Sequence, residues 1–199
     1  MAIIPGLDDR RRRGIINPMK ARLIHAMTDL CLALLVGASV GASVAAGTIF
    51  GISREQGFDK HIANTLAGAM FDRLGWPMLA MALVATLGCL YAAWRPPVHR
   101  ATRRTLTGWK VMAGACVLML AGACATQFYL APKMADLRAN STWVNGELAD
   151  PAEKAAFGAA HGQSMSVGAL VTLIAGGLVV SRRLFTGSDD QRKMKSGLN

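Results

Sequence analysis

The stretch LCLALLVGASVGASVAAGTIFGIS, Leu30 to Ser53, runs for 24 residues without a charge between Asp29 and Arg54. A helix crosses the hydrocarbon core of a bilayer with about 20 mostly apolar residues, so this run reads as a membrane span. Three more follow: 21 uncharged residues between Arg73 and Arg95, 22 between Lys110 and Lys133, and 27 between Lys154 and Arg182. The composition of the 199-residue chain agrees, with 52% apolar residues, only 17% charged and a mean hydropathy of +0.32. A soluble domain carries about a quarter charged residues. A soluble enzyme, a disordered chain and a disulfide-knit secreted domain are thereby excluded.

The expected fold is an all-α integral membrane protein, an antiparallel four-helix transmembrane bundle with spans at about 30–53, 74–94, 111–132 and 157–181. These spans make a membrane domain over residues 29–183, between a basic segment 1–28 and a basic tail 184–199. The first run exceeds the roughly 7–15 apolar residues of a cleaved signal, so it is expected to stay as an anchor. From Phe58, apolar residues recur at Ile62, Leu66 and Met70, interleaved with Asp59, Lys60, Asn64, Asp72 and Arg73. That helical period predicts a short amphipathic helix on the periplasmic surface, capping the bundle and leading into span two.

The net charge of +10 is unevenly spread. The N-terminal segment, the middle loop and the tail hold 16 basic residues, against 6 in the other two loops. The positive-inside rule places both termini in the cytoplasm. Arg10 to Arg13 lack the aromatic residues and motifs of a nucleic-acid site, so no nucleic-acid partner is expected. Trp76, Trp94, Trp109 and Tyr129 sit where interfacial aromatic anchors belong, and Pro77 falls in the first turn expected for span two, where a missing N–H costs little.

Span one carries Gly37, Gly41 and Gly47 with Ser39 and Ser43, span three Ala113-Gly-Ala115 and Ala121-Gly-Ala123, and span four Ala160, Ser164 and Gly168. Small residues let helices approach closely in lipid. These rows are expected to close the bundle, and a surplus small face would serve a membrane-protein partner or a homo-oligomer. Cys31, Cys89, Cys116 and Cys124 lie within the spans and read as packing residues. Cys116 and Cys124, eight apart, share a helical face that could otherwise make a thiolate metal site.

Ionisable groups inside spans mark proton and ion pathways, and the central parts of these spans have none. Their hydroxyls can bond the preceding helical turn; Gln127 is the costlier polar residue. His61 and His161 fall on the expected periplasmic side and could present two haem ligands only if they met. His161 and Met165 share a face one turn apart, with Met134 on the same side, a donor set that suits copper(I). The residues otherwise predict no metal, haem or pigment site and no catalytic constellation.

Three stretches together resemble a family: Ala67-Gly68-Ala-Met70-Phe71, then Phe128-Tyr129-Leu-Ala-Pro132-Lys-Met134-Ala-Asp-Leu137-Arg138, then Phe157-Gly-Ala-Ala-His161-Gly-Gln-Ser164. They are similar to the transmembrane-protein-205-like family, four-span membrane proteins catalogued in bacteria as a domain of unknown function. The resemblance implies four spans in a bacterial inner membrane and singles out Pro132, Met134, Arg138 and His161. Arg138 is expected to pair with an acid of its own loop (Asp136, Glu147, Asp150 or Glu153), and His161 to donate to a loop carbonyl. The expectation for function is a non-catalytic accessory subunit of a larger respiratory or photosynthetic membrane complex. The alternative is a free-standing protein handling a soft metal ion or small solute at the periplasmic cluster.

Overall fold

The computed structural model describes residues 18–94, 103–144 and 147–196, with side chains for 19–94, 107–144 and 147–182. Arg10 to Arg13, Arg95 and Arg100, and the side chains of Arg103, Arg104, Arg183, Arg192, Lys193 and Lys195, lie outside the described residues. Among the described residues five α-helices carry the fold: α1 Pro18–Glu55, α2 Lys60–Trp94, α3 Arg103–Ala125, α4 Ala131–Asn140 and α5 Pro151–Ser196. A π-helical turn, Thr126–Leu130, joins α3 to α4 without a break. Four stretches, Met19–Glu55, Lys60–Trp94, Thr107–Asn140 and Pro151–Arg182, are long and apolar enough to cross a membrane. The chain is a multi-pass membrane protein.

The helices outlast the spans read from charge-free runs. At 1.5 Å per residue, the 35 residues of α2 reach about 52 Å, against a hydrocarbon core of about 30 Å. Local signals set the ends. After α1 the chain turns on Gly57 at φ +66, and the Phe58 N–H reaches back to the Ser53 carbonyl at 2.9 Å, the bond that closes a Schellman stop. Asp59 then caps α2 by accepting from the His61 N–H at 2.9 Å. Asp150 caps α5 in the same way through Ala152, with Pro151 at the first helical position, where its missing N–H costs nothing. Between α4 and α5 a two-stranded ribbon pairs β1 Trp143–Val144 with β2 Glu147–Leu148, antiparallel.

The segment expected as a short surface helix running into span two is the first part of α2, continuous with the span. Its large side chains Phe58, Ile62 and Leu66 are exposed, and Ala63, Ala67 and Gly68 are buried. Pro77 consequently sits in the helix interior, where it removes a backbone bond, and not in a first turn.

Contacts join α1 to α2, α2 to α3, α3 to α5 and α5 back to α1. The core, which includes Leu32, Leu35, Ala82, Ala85, Cys89, Cys116, Met119, Ala175 and Leu178, is rich in small and soft side chains. Leu34, Leu83, Leu87, Leu118, Leu170 and Leu173 point outward. Lipid is as apolar as leucine, so close packing rather than exclusion of water selects the inner residues. Hydroxyls of Ser39, Ser43, Thr48, Ser166 and Thr172 each donate to the carbonyl four residues back, which satisfies them locally as expected. Thr86 does so and also reaches across to the Cys116 carbonyl at 3.0 Å.

The small-residue expectation divides within the helices, and Gly114 and Gly168 are exposed with nothing within 4 Å of where a Cβ would stand. Ala113 and Ala160 are buried, and Gly122 packs against Val171 and Val167. Gly37, Gly41 and Gly47 are exposed, with nothing within 4 Å of where a Cβ would stand. They do not close this bundle: α1 turns another face inward, built on Thr28, Cys31, Leu32, Leu35 and Ala42.

Candidate functional site

Polar chemistry concentrates at the two ends of the bundle. At the Glu147 end, α4 presents Arg138 with its side chain only 15% exposed. Its Nε donates to the Met134 carbonyl at 3.2 Å, and Nη2 lies 3.6 Å from Asp72 of α2. The guanidinium rests on the backbone of Gly68: a Cβ there would stand 1.1 Å from Nη1. The two motif stretches around Gly68 and Arg138 are thus one contact. The acid that Arg138 faces belongs to α2, not to its own loop. A helix-borne carboxylate is already ordered, so meeting it costs less entropy than fixing a loop side chain.

Pro132 follows the π-helical turn. The Ala131 N–H bonds the Thr126 carbonyl, five residues back, and Pro132 has no N–H to offer next, a local cause for the change of register. The wider turn sets Gln127 against Gly75, where its Oε1 lies 2.0 Å from the place of a Cβ. That contact accommodates the costly polar residue of span three.

Trp143 anchors the connecting ribbon by donating Nε1–H to the Arg138 carbonyl at 3.2 Å. Its ring lies 4.5 Å from His61 and 6.3 Å from Phe157, and Phe157 stacks on His161 at 6.4 Å with the planes 4° apart. The two imidazoles therefore end a file of four rings, with Trp143 and Phe157 between them, and do not converge as an axial pair would. His161 contacts Phe157 where a bond to a loop carbonyl was expected. It is exposed, as is Met165, whereas Met134 is half-buried and its carbonyl is engaged by Arg138. Among the described residues no group of three His, Cys, Asp or Glu side chains is placed to hold a metal ion. Glu147 bridges Lys60 at 3.1 Å and Lys154 at 2.7 Å. Bonds from Lys154 and then Lys60 hold its carboxyl at about 2.

The opposite end holds a cluster that the sequence reading missed. Arg182 of α5 is 1% exposed. Its Nε donates to Asp29 of α1, Nη1 points to Cys89 Sγ of α2 at 3.6 Å, and Nη2 meets His25 Nδ1 at 3.2 Å and the His25 carbonyl at 3.3 Å. The Trp109 ring of α3 lies 5.6 Å from the guanidinium carbon and 5.8 Å from the His25 ring. Arginine has no acceptor, so His25 Nδ1 must accept, with any ring proton on Nε2. One guanidinium thereby engages all four spans. A buried charge is tolerated only when paired and hydrogen-bonded, and this one is. One level further in, Thr28 fills the notch at Gly88, where a Cβ would lie 1.9 Å from its Oγ1.

A signal for this cluster was present. Asp29 opens the first charge-free run and Arg182 closes the last. Counted as span boundaries, they conceal an acid and a base that a closed ring of helices sets at one level.

No curated protein and no solved structure matches the chain. A family model described as Domain of unknown function (DUF4149) matches residues 34–142. The match covers over half of the chain and includes Gly68, Gln127 and Arg138, while Asp29 and Arg182 flank it. The chain belongs to the DUF4149 family.

Proposed function

We propose that this protein is a non-catalytic accessory subunit of a larger complex in a bacterial inner membrane, built as an antiparallel four-helix bundle with both termini in the cytoplasm. The observation that carries the reading is the outward face of α1. Gly37, Gly41 and Gly47 are exposed and free of contact, which suits close approach by a helix of another protein. Among the described residues, the guanidiniums of Arg138 and Arg182 are engaged in helix-to-helix contacts, which fits a structural role. The orientation is supported by charge. Lys20, Arg22 and Lys110 are exposed on the segments flanking the Arg182 cluster, and Glu55, Asp59, Asp72, Glu147 and Asp150 lie towards the other end. Kinship with the transmembrane-protein-205-like family belongs to the same proposal, supported by the Gly68–Arg138 contact between two of its motif stretches.

Purification from native membranes in mild detergent tests the subunit reading. A stoichiometric membrane-protein partner is expected, released by Gly41→Leu while the chain itself stays folded. A chain that purifies alone, with or without that substitution, overturns it. Single-cysteine variants at Ser141 and Ser188, in a background lacking the native cysteines, test orientation. An impermeant thiol reagent added to intact cells should label only Ser141→Cys once the outer membrane is opened.

A further inference from the structure

Cys89 and Cys116 are both fully buried, on α2 and α3. Thr86, one turn before Cys89, reaches the Cys116 carbonyl at 3.0 Å. A hydroxyl one carbon from the α2 backbone thus touches the α3 backbone, and Ala82, Ala85 and Ala113 are buried on the same two helices. Cys89 follows Thr86 by one turn, so both cysteines belong to the same buried contact between α2 and α3. Cys89 also has a cation in direct contact, Arg182 Nη1 at 3.6 Å. Cys31 is buried in the same core on α1, and Cys124 is half-buried further along α3.

We propose that Cys89 and Cys116 form a peroxide-responsive dithiol that cross-links α2 to α3. The assignment of roles follows from the surroundings. A sulfur acting as nucleophile bears negative charge, and an adjacent arginine stabilises it, so Cys89 attacks and Cys116 resolves. The oxidant must be small and uncharged to reach side chains with no exposed surface, which fits a hydroperoxide and excludes bulky disulfides. In the first step the Cys89 sulfur attacks one peroxide oxygen. An S–O bond forms, the O–O bond breaks, and the leaving hydroxide takes the thiol proton as water. In the second step the Cys116 sulfur attacks the Cys89 sulfur. The S–S bond forms, the S–O bond breaks, and the hydroxyl leaves with the Cys116 proton as a second water. Two thiols are oxidised and one peroxide is reduced, through a sulfenic acid.

The test uses the full chain, reduced and purified in mild detergent, treated with hydrogen peroxide, unfolded in an alkylating reagent and mapped by mass spectrometry. A single cross-link joining Cys89 to Cys116 is expected, with Cys31 and Cys124 alkylated. Cys116→Ser should instead accumulate a sulfenic acid at Cys89, trapped by a dione reagent. Cys89→Ser should leave Cys116 unoxidised. Arg182→Met should slow cross-linking about tenfold relative to Arg182→Lys, and the two serine variants decide the matter if either arginine variant fails to fold. Both thiols still alkylated after peroxide treatment, cross-links scattered over Cys31 and Cys124, or equal oxidation of Cys89 and Cys116 in the single variants would each overturn the proposal.

Discussion

Arg182 and Asp29 stand 153 positions apart in the chain and share a direct hydrogen-bonded ion pair. The two members are unequal: the arginine side chain is 1% exposed and the aspartate 44%. Removing the carboxylate leaves a buried cation short of its counter-charge, which costs about 3–5 kcal/mol in a fully buried pair. Removing the arginine leaves an aspartate that water can reach. Asp29→Asn should therefore lower thermal stability in detergent more than Arg182→Met does, by about 1–2 kcal/mol on that principle once the exposure of Asp29 is allowed for. Paired melting curves check it, and equal losses would show that the pair is not asymmetric in this way.

Gly68 and Gly41 make a second contrast. Gly68→Ala drives a methyl group into the Arg138 guanidinium, which must leave Asp72. A loss of about 1 kcal/mol is expected, because the displaced group is the end of a flexible side chain whose ion pair is open to water. Gly41→Leu meets open space and should change the stability of the isolated chain by no more than about 0.5 kcal/mol. Adding Arg138→Ala to Gly68→Ala should recover part of the loss, because the obstructing group is gone. A series of melts on the four variants measures this, and a larger loss for Gly41→Leu would contradict the inward face assigned to α1.

Glu147 supplies a pH dependence with a definite sign. Its carboxyl is held at about 2, below the ordinary 4.5, by Lys154 and Lys60. A depressed carboxyl gives stability that is fully present above its unfolded value and fades as the pH falls towards the folded one. Amide exchange in the Trp143–Leu148 ribbon, corrected for intrinsic rate, should thus stay constant from neutral pH down to about 5. It should rise between 4.5 and about 2. Glu147→Gln should show the faster exchange already at neutral pH. Because the group is open to solvent, high salt should reduce the difference.

Trp143 ties the ribbon to α4 and to the aromatic file. Trp143→Phe keeps a ring but loses the bond to the Arg138 carbonyl, a change of about 1 kcal/mol. Trp143→Ala also removes the contacts with His61 and Phe157. Limited proteolysis should cut between Asn140 and Asp150 slightly faster in the first variant and much faster in the second, with membrane insertion unchanged in both.

The sequence by itself determined the four spans and the self-satisfaction of their hydroxyls, because each depends on local composition or on spacing within one helix. Burial of apolar length is additive along the chain, so a charge-free run suffices to read a span. It could not determine which face of a helix turns inward. Gly37, Gly41 and Gly47 look like packing residues by spacing, yet α1 is rotated to present Leu32 and Leu35, since facing surfaces of α2 and α5 decide that rotation. The partner of Arg138 was equally a tertiary matter: four loop acids were nearer in sequence, but Asp72 stands one helix away beside the notch at Gly68. The Arg182 cluster was hidden for the same reason. Opposite charges at the ends of the first and last spans become one ion pair only when the ring of helices closes and sets His25, Asp29, Cys89 and Trp109 around a single guanidinium.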